Sequence, residues 1–312
     1  MLRSDNLVVL ESTSPVGTTE SLCRLLAQAR PDLAFPLPGA REIDVSVAYC
    51  PERVLPGRVL HELVDNDRII GGLSERCATR AVDFYRLFCE GELVRTSART
   101  AELCKLAENA FRDVNIAFAN ELSLICDRLD VNVGELIRLA NHHPRVDILQ
   151  PGPGVGGHCI AVDPWFIVAS APEEARLIRT AREVNDAKPA EVLKKIRTLA
   201  DALKVEGTSR PGIACLGLSF KPDIDDMRES PALAISTEVA RWGDCDVFIV
   251  EPHLKKLPGN LAGKNHVTLA SPRDAIARSG VVALLVNHRQ FYQIDRASLE
   301  SKKVVDTRGM WS

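Results

Sequence analysis

Short apolar runs alternate along this chain with stretches in which apolar positions recur every three or four residues, and that alternation predicts an α/β protein. Asn6-Leu7-Val8-Val9-Leu10 is the first run; it turns polar at Glu11-Ser12-Thr13, and Ser14-Pro15-Val16-Gly17 leads into a helical pattern ending near Arg30. Val45–Cys50 reads as the next strand, followed by Pro51-Glu52-Arg53-Val54-Leu55-Pro56-Gly57. Arg68-Ile69-Ile70-Gly71-Gly72 is a third, with a helix from about Glu75 to Glu90. Strands separated by helices predict a parallel sheet. Ligands then bind beyond the carboxyl ends of the strands, where Thr13, Glu52 and Arg53 fall.

Between Ser97 and Arg128 the helical pattern meets no glycine or proline, which at 1.5 Å per residue predicts a helix of roughly 45 Å. Lys105, Asn109 and Arg112 stand at i, i+4 and i+7 and share one face of it, although a charged stripe on a helix standing alone is usually a solvated face. A shorter helix, Val133 to Asn141, ends at His142-His143-Pro144-Arg145. Two adjacent histidines with no third ligand at suitable spacing do not make a zinc site, and no metal is expected. After Pro172 one helix runs to about Asp186 and Pro189 opens the next. Glu206–Gly212 has linker composition, and a last α/β unit follows, with strands at 213–218, 247–250, 281–286 and 304–305. Ser230-Pro231 is an N-cap followed by proline at the first helical position, and starts a helix to about Trp242. The expected domains are 1–96, 97–206 and 207–312.

One stretch breaks both periodicities. Pro151-Gly152-Pro153-Gly154-Val155-Gly156-Gly157-His158-Cys159 packs four glycines and two prolines ahead of a cysteine. Glycine lets backbone N–H groups approach a ligand and proline restrains the flanking dihedrals, so the stretch reads as a built cradle with a nucleophile at its rim. A glycine-rich turn with a buried cysteine is the plainer alternative. The other eight cysteines lie in apolar or helical surroundings with no C-x-x-C pair, which argues against disulfides and structural zinc. A net charge of -3 and a pI near 6.2 give no electrostatic reason to expect nucleic acid or an anionic membrane as partner. The N-terminus lacks the apolar core of a signal peptide, so a cytoplasmic protein is expected. A thiol, an amine, carboxylates and the basic groups Arg53, Arg112, Arg145, Lys221, Arg228 and Arg308 suit covalent chemistry on a phosphorylated substrate.

Seven segments, in this order, resemble the nucleotide-sugar 6-dehydrogenases: Glu11–Gly17, Tyr49–Arg53, Lys105–Asn109, Gly152–Trp165, Gly217–Pro222, Arg228–Pro231 and Asp306–Gly309. The resemblance covers essentially the whole chain. It implies a partial Rossmann-like N-terminal domain, a central helical dimerisation domain built on the long helix, and a C-terminal Rossmann-like UDP-binding domain. The implied reaction is a twofold, NAD-dependent oxidation of a UDP-sugar at C6, with UDP-N-acetyl-D-mannosamine ahead of UDP-N-acetylglucosamine as substrate. Cys159 would be the nucleophile, Lys105 and Asn109 would hold the oxyanion, and Asp163, Glu52 and Thr13 would handle water and protons. Arg53, Val54, Arg112, His143, Arg145, Gly156, Phe220, Lys221 and Arg308 would surround the UDP-sugar, with Arg145 reaching in from a second subunit of a homodimer. Arg228 would face the NAD pyrophosphate.

Two features depart from the family pattern. Pro56 stands where glucose-oxidising relatives carry a second glutamate. No G-x-G-x-x-G follows a first strand, so on the order of 100 residues of the NAD-binding half are expected to be lacking. That leaves an apolar strand edge at 7–13 and keeps two other readings open, a UDP-sugar-binding protein without catalysis and a thiol hydrolase.

Overall fold

The computed structural model describes residues 2–54 and 59–311. The chain divides into two compact units, one formed by residues up to Ala110 with Asp163–Arg176, the other by Phe111–Val162 with Leu177 onwards. Pro56 lies outside the described residues.

The first unit holds β1 (Leu7–Leu10), α1 (Thr18–Ala29), β2 (Ser46–Tyr49), α2 (Val59–Asp65), β3 (Arg68–Gly72), α3 (Glu75–Tyr85) and β4 (Leu93–Ser97). The four strands lie side by side in chain order. β1 pairs with β2 and β3 with β4 in parallel, but β2 and β3 run antiparallel, which corrects the expected parallel sheet. Hydrophobic periodicity says which face a strand buries and carries no information on its direction. Every residue of β2 is buried, whereas β1, paired on one side only, is half-buried throughout. Ser74 caps α3, its Oγ accepting from Cys77 N–H at 3.3 Å, and the helix lays Ala81, Val82 and Tyr85 against Ala48, Cys50 and Ile70.

Helix α4 (Ala98–Leu129) gives its first turns to this unit and the remainder to the second, where α5 (Val133–Ala140) follows. Helix α6 (Asp163–Ser170) begins directly after the glycine-rich stretch, with Asp163 as its buried first residue.

The second unit is organised by β5 (Gly212–Leu216), β6 (Asp246–Val250), β7 (Val267–Leu269), β8 (Val281–Leu284) and β9 (Lys303–Asp306), all parallel, in the order β7-β6-β5-β8-β9. Alternate residues divide between two cores. Ile213, Cys215, Val247 and Ile249 pack with Val192 and Ile196 of α7 (Arg176–Val205) and Ile235 and Val239 of α8 (Pro231–Val239). Ala214, Leu216, Phe248 and Val250 pack with Ala275 and Ile276 of α9 (Pro272–Arg278) and with Phe291. Both faces are covered, as a parallel sheet requires. Ser230 Oγ caps α8 by accepting from Leu233 N–H at 3.3 Å, with Pro231 in the first turn.

Pro189 does not open a helix; it lies inside α7. A proline there removes one hydrogen bond and crowds the carbonyl four residues back, at about 3 kcal/mol. The buried stripe Ala181, Asn185, Lys188, Val192, Ile196 and Ala200 nevertheless continues straight through it. Packing along that stripe outweighs the local penalty.

Candidate functional site

In the first unit the expected groups gather on α4 and at the ends of strands. Glu102, Lys105 and Asn109 stand at i, i+3 and i+7, one face of the helix. Asn109 Nδ2 donates to Asp163 Oδ2 at 2.5 Å. Burial holds the Asp163 carboxyl above the usual range, a shift opposed by that hydrogen bond and by the Lys105 ammonium. Asp163 is thereby a buried acid able to exchange a proton, held in one orientation by an amide. Glu52 Oε1 accepts from the N–H groups of Arg53, at 2.7 Å, and Val54, at 2.9 Å, closing a turn just beyond β2. Arg53 forms an ion pair with Glu108 of α4. Thr13 lies half-buried in the turn between β1 and α1.

Glu102 was not anticipated. Its wholly buried carboxylate accepts from Gly17 N–H at 2.6 Å and from Thr19 N–H and Oγ1 at 2.7 Å each. It therefore fills the N-terminus of α1, where the helix dipole and free N–H groups favour an anion. That helix end is thus capped by the chain's own carboxylate, and no G-x-G-x-x-G follows a strand among the described residues. The only sequence signal for Glu102 was its place three residues ahead of Lys105, which reads equally as a solvated charge.

In the second unit the strand order sets the site. From β5 the chain steps outward to β6 and β7, then returns to the other side of β5 for β8 and β9, so a switch point lies between β5 and β8, and their exit loops flank a crevice. Phe220 and Lys221 stand on the loop leaving β5, and Arg308 follows β9. Glu251 braces that loop, its buried Oε2 accepting from Leu218 N–H at 2.7 Å and Ser219 N–H at 3.3 Å, with His288 Nε2 3.2 Å away. His288 Nδ1 accepts from Asp223 N–H at 3.0 Å. Asp223, His253 and His288 are close enough to share an ion, but both ring nitrogens of His288 already have partners.

The cradle around Cys159 is built by close approach. A Cβ on Gly152 would come within 2.8 Å of Arg308 Nη1, and one on Gly156 within 2.5 Å of the Glu229 carbonyl. Gly157, at φ +84°, lies against the Phe220 ring. Glycine is required by space at Gly156, where the neighbour is backbone, and by backbone angle at Gly157, whereas at Gly152 the neighbour is the end of a long side chain. At the rim Cys159 is exposed, while the other eight cysteines are buried or half-buried. Arg228 is paired with Asp226 at 2.6 Å. Arg112, His143 and Arg145 are exposed, the last two joined by a 3.3 Å hydrogen bond from Arg145 N–H to His143 Nδ1. The structure thus brings together Lys105, Asn109 and Asp163; Glu52, Arg53 and Val54; Gly156 and Phe220; and Gly152 and Arg308. No hydrogen bond ties His143 or Arg145 to the other expected groups among the described residues.

The chain matches three domains of one family: the NAD binding domain of the UDP-glucose/GDP-mannose dehydrogenase family over residues 1–89, its central domain over 99–187 and its UDP binding domain over 214–312. It is 59% identical, over its whole length and 72% of the relative, to an NDP-N-acetyl-D-galactosaminuronic acid dehydrogenase of Ralstonia nicotianae. It is 56% identical to the UDP-N-acetyl-D-mannosamine dehydrogenase of Escherichia coli K12, again over its whole length and 74% of the relative. Among solved structures, a UDP-D-ManNAc dehydrogenase from Pyrococcus horikoshii superposes with a TM-score of 0.82 at 38% identity, covering 99% of this chain and 70% of that one. No described helix is long and apolar enough to cross a membrane.

Proposed function

From the premise that the chain belongs to the UDP-glucose/GDP-mannose dehydrogenase family, we propose that it oxidises the C6 alcohol of a UDP-N-acetylhexosamine to the uronate, with UDP-N-acetyl-D-mannosamine as substrate. The exposed Cys159, on a loop clamped by Arg308, Glu229 and Phe220, is the observation that carries this reading. Two NAD+ molecules, bound in succession at one site, would each accept one hydride. After the first oxidation the Cys159 thiolate adds to the C6 aldehyde, forming a C–S bond and an oxyanion that Lys105 and Asn109 stabilise. The second oxidation leaves a thioester on Cys159. Water then breaks the C–S bond, Asp163 and Glu52 taking its proton with Thr13 as a positioning group, and releases the carboxylate and the thiol. Arg53, Val54, Arg112, His143, Arg145, Gly156, Phe220, Lys221 and Arg308 bind the UDP-sugar, and Arg228 faces the cofactor pyrophosphate. The domains assigned to these tasks are 1–96, 97–206 and 207–312. The product feeds the synthesis of a surface polysaccharide in the cytoplasm.

A homodimer through the central helices fits the exposed seam Phe111, Phe118 and Ile125 on α4, which repeats every seven residues and is continued by Leu129. Phe118→Asp is expected to convert a dimer to a monomer in sedimentation velocity; a parent chain that sediments as a monomer removes the proposal.

The test of function is turnover of UDP-N-acetyl-D-mannosamine, with its galacto and gluco isomers in parallel, followed by uronate formation. Cys159→Ala is expected to lower it by roughly a thousandfold or more while leaving calorimetric binding of the UDP-sugar in place. Undiminished uronate formation by the variant would overturn the thioester route. The galacto isomer is included because the Ralstonia relative is named for it. Binding of the sugar nucleotide without turnover by the parent would favour a UDP-sugar-binding protein.

A further inference from the structure

Four buried polar side chains in the second unit have no part in the chemistry above. Arg182 Nη1 on α7 donates to Asp113 Oδ1 on α4 at 2.7 Å, and Arg182 also pairs with Asp186. Asn185 Nδ2 donates to the same Asp113 oxygen at 2.8 Å and to the Asp113 carbonyl at 3.1 Å. Asn120 Nδ2 donates to Asn185 Oδ1 at 2.8 Å, and Asn120 Oδ1 accepts from Gly152 N–H at 2.8 Å. Arg182 and Asn185 are each 1% exposed and Asp113 and Asn120 not at all.

The direction of this chain is forced from one end. A guanidinium can only donate, so Asp113 Oδ1 must accept. The Asn185 amide then turns its nitrogen toward Asp113 and its oxygen toward Asn120. Asn120 must answer with its own nitrogen, which leaves its oxygen facing the loop. Flipping either amide would set oxygen against oxygen at one junction and nitrogen against nitrogen at the next. The acceptor offered to Gly152 N–H is thus decided by a charge three residues away along the chain of bonds.

We infer that Arg182, Asp113, Asn185 and Asn120 form a positioning device for the reactive loop, with Asn120 as the residue that anchors the loop at Gly152 and so sets where Cys159 stands. Gly152 is the point at which the loop leaves Pro151 and passes against Arg308. Four residues on, Gly156 is fixed by Glu229 and Phe220. Anchors at both ends leave the intervening backbone little freedom, and Cys159 lies just past the second. The inference rests on the reading of Cys159 as nucleophile only for its consequence in catalysis. The geometry itself can be measured without turnover.

The experiment follows alkylation of Cys159 by iodoacetamide, with peptide mapping to separate it from Cys104, in the full chain with and without UDP. Asn120→Ala is expected to change the Cys159 rate by about fivefold or more and to weaken the effect of UDP on it. Asn120→Asp, which keeps the acceptor for Gly152 but loses the donor to Asn185, is expected to fall between the variant and the parent. Lys195→Ala is the control, because Lys195 Nζ donates to Asp127 Oδ1 at 2.7 Å and joins the same two helices away from Asn120 and the loop; its Cys159 rate is expected within about twofold of the parent. An Asn120→Ala rate equal to the parent's, or an equal change in Lys195→Ala, overturns the proposal. Should Asn120→Ala fail to fold, hydrogen exchange of the parent decides. The Gly152 amide is expected to be protected, and exchange at the rate of an open peptide overturns the proposal as well. Continued uronate formation by Cys159→Ala would remove the catalytic meaning of the loop and leave these results standing.

Discussion

The two units treat their sheets differently. In the second, every residue of β5 and β8 is buried, and two apolar cores cover the two faces. In the first, β2 alone is buried throughout; β1 is half-buried and β4 is largely exposed. The second sheet can therefore serve as a rigid platform whose strand ends carry Phe220, Lys221 and Arg308. The first also packs apolar side chains on both faces, Ala81, Val82 and Tyr85 on one and Cys23, Phe35, Ala98 and Ala101 on the other, but its outer strands β1 and β4 are less buried, and the Glu102 clamp adds to its order. Burial on both faces makes a sheet insensitive to its surroundings, and an open edge makes it depend on them.

The largest effect expected from this contrast is on stability. Ile213→Ala, in the middle of the covered sheet, removes a side chain with no exposure from the core shared with α7 and α8, and is expected to cost about 2–5 kcal/mol. Val9→Ala, on the half-buried edge strand, is expected to cost about 1 kcal/mol or less, because the site collapses or hydrates more readily. Denaturant unfolding of both variants measures the difference. Equal losses would mean that the edge of the first sheet is as well supported as the centre of the second.

What could be read beforehand follows the same division. Helix α4 was legible because 32 residues without glycine or proline leave few alternatives, and α8 because Ser230-Pro231 is a local start signal. The glycines of the Cys159 cradle were legible as a built loop by composition alone. The antiparallel pairing of β2 and β3 was not, since direction depends on contacts far apart in sequence. Pro189 misled because its local penalty is visible in the sequence and the buried stripe that overrides it is not. Glu102, Asn120 and Asn185 gave no signal that told burial from exposure: a polar residue in a helix reads as solvated until its partners, 32 to 85 positions away, are known.

The smaller and sharper test concerns how each unit buries a charge. Glu102 meets three donors within 2.7 Å, whereas Lys188 of α7, 5% exposed, has Ser123 Oγ as its hydrogen-bonded partner. Burial pushes the Lys188 ammonium down to about 8, with Asp127 and Glu191 opposing and Lys195 adding to the effect. Between that value and the 10.5 of a free lysine the unfolded chain binds more protons than the folded one. This group's contribution to stability therefore rises with pH across that window, by up to about 3 kcal/mol. Three buried thiols act in the opposite sense. Burial raises Cys23 and Cys245 to about 11 and Cys215 to about 12, so the unfolded chain gains by ionising them and stability falls as pH rises above 9. The parent's own curve mixes both, so the informative quantity is its difference from Lys188→Met. That variant is expected to be at least as stable as the parent at pH 7, because it removes a buried charge with a single neutral partner, and to lose its relative advantage steadily from pH 8 to 10. Glu102→Gln is expected to do the reverse at pH 7, losing about 1–3 kcal/mol by presenting a donor to donors. Guanidinium unfolding at four pH values resolves the pair. A parent-to-variant difference that stays constant from pH 8 to 10 would mean that the Lys188 amine binds its proton in the folded chain as it does in the unfolded one, with no effect of burial.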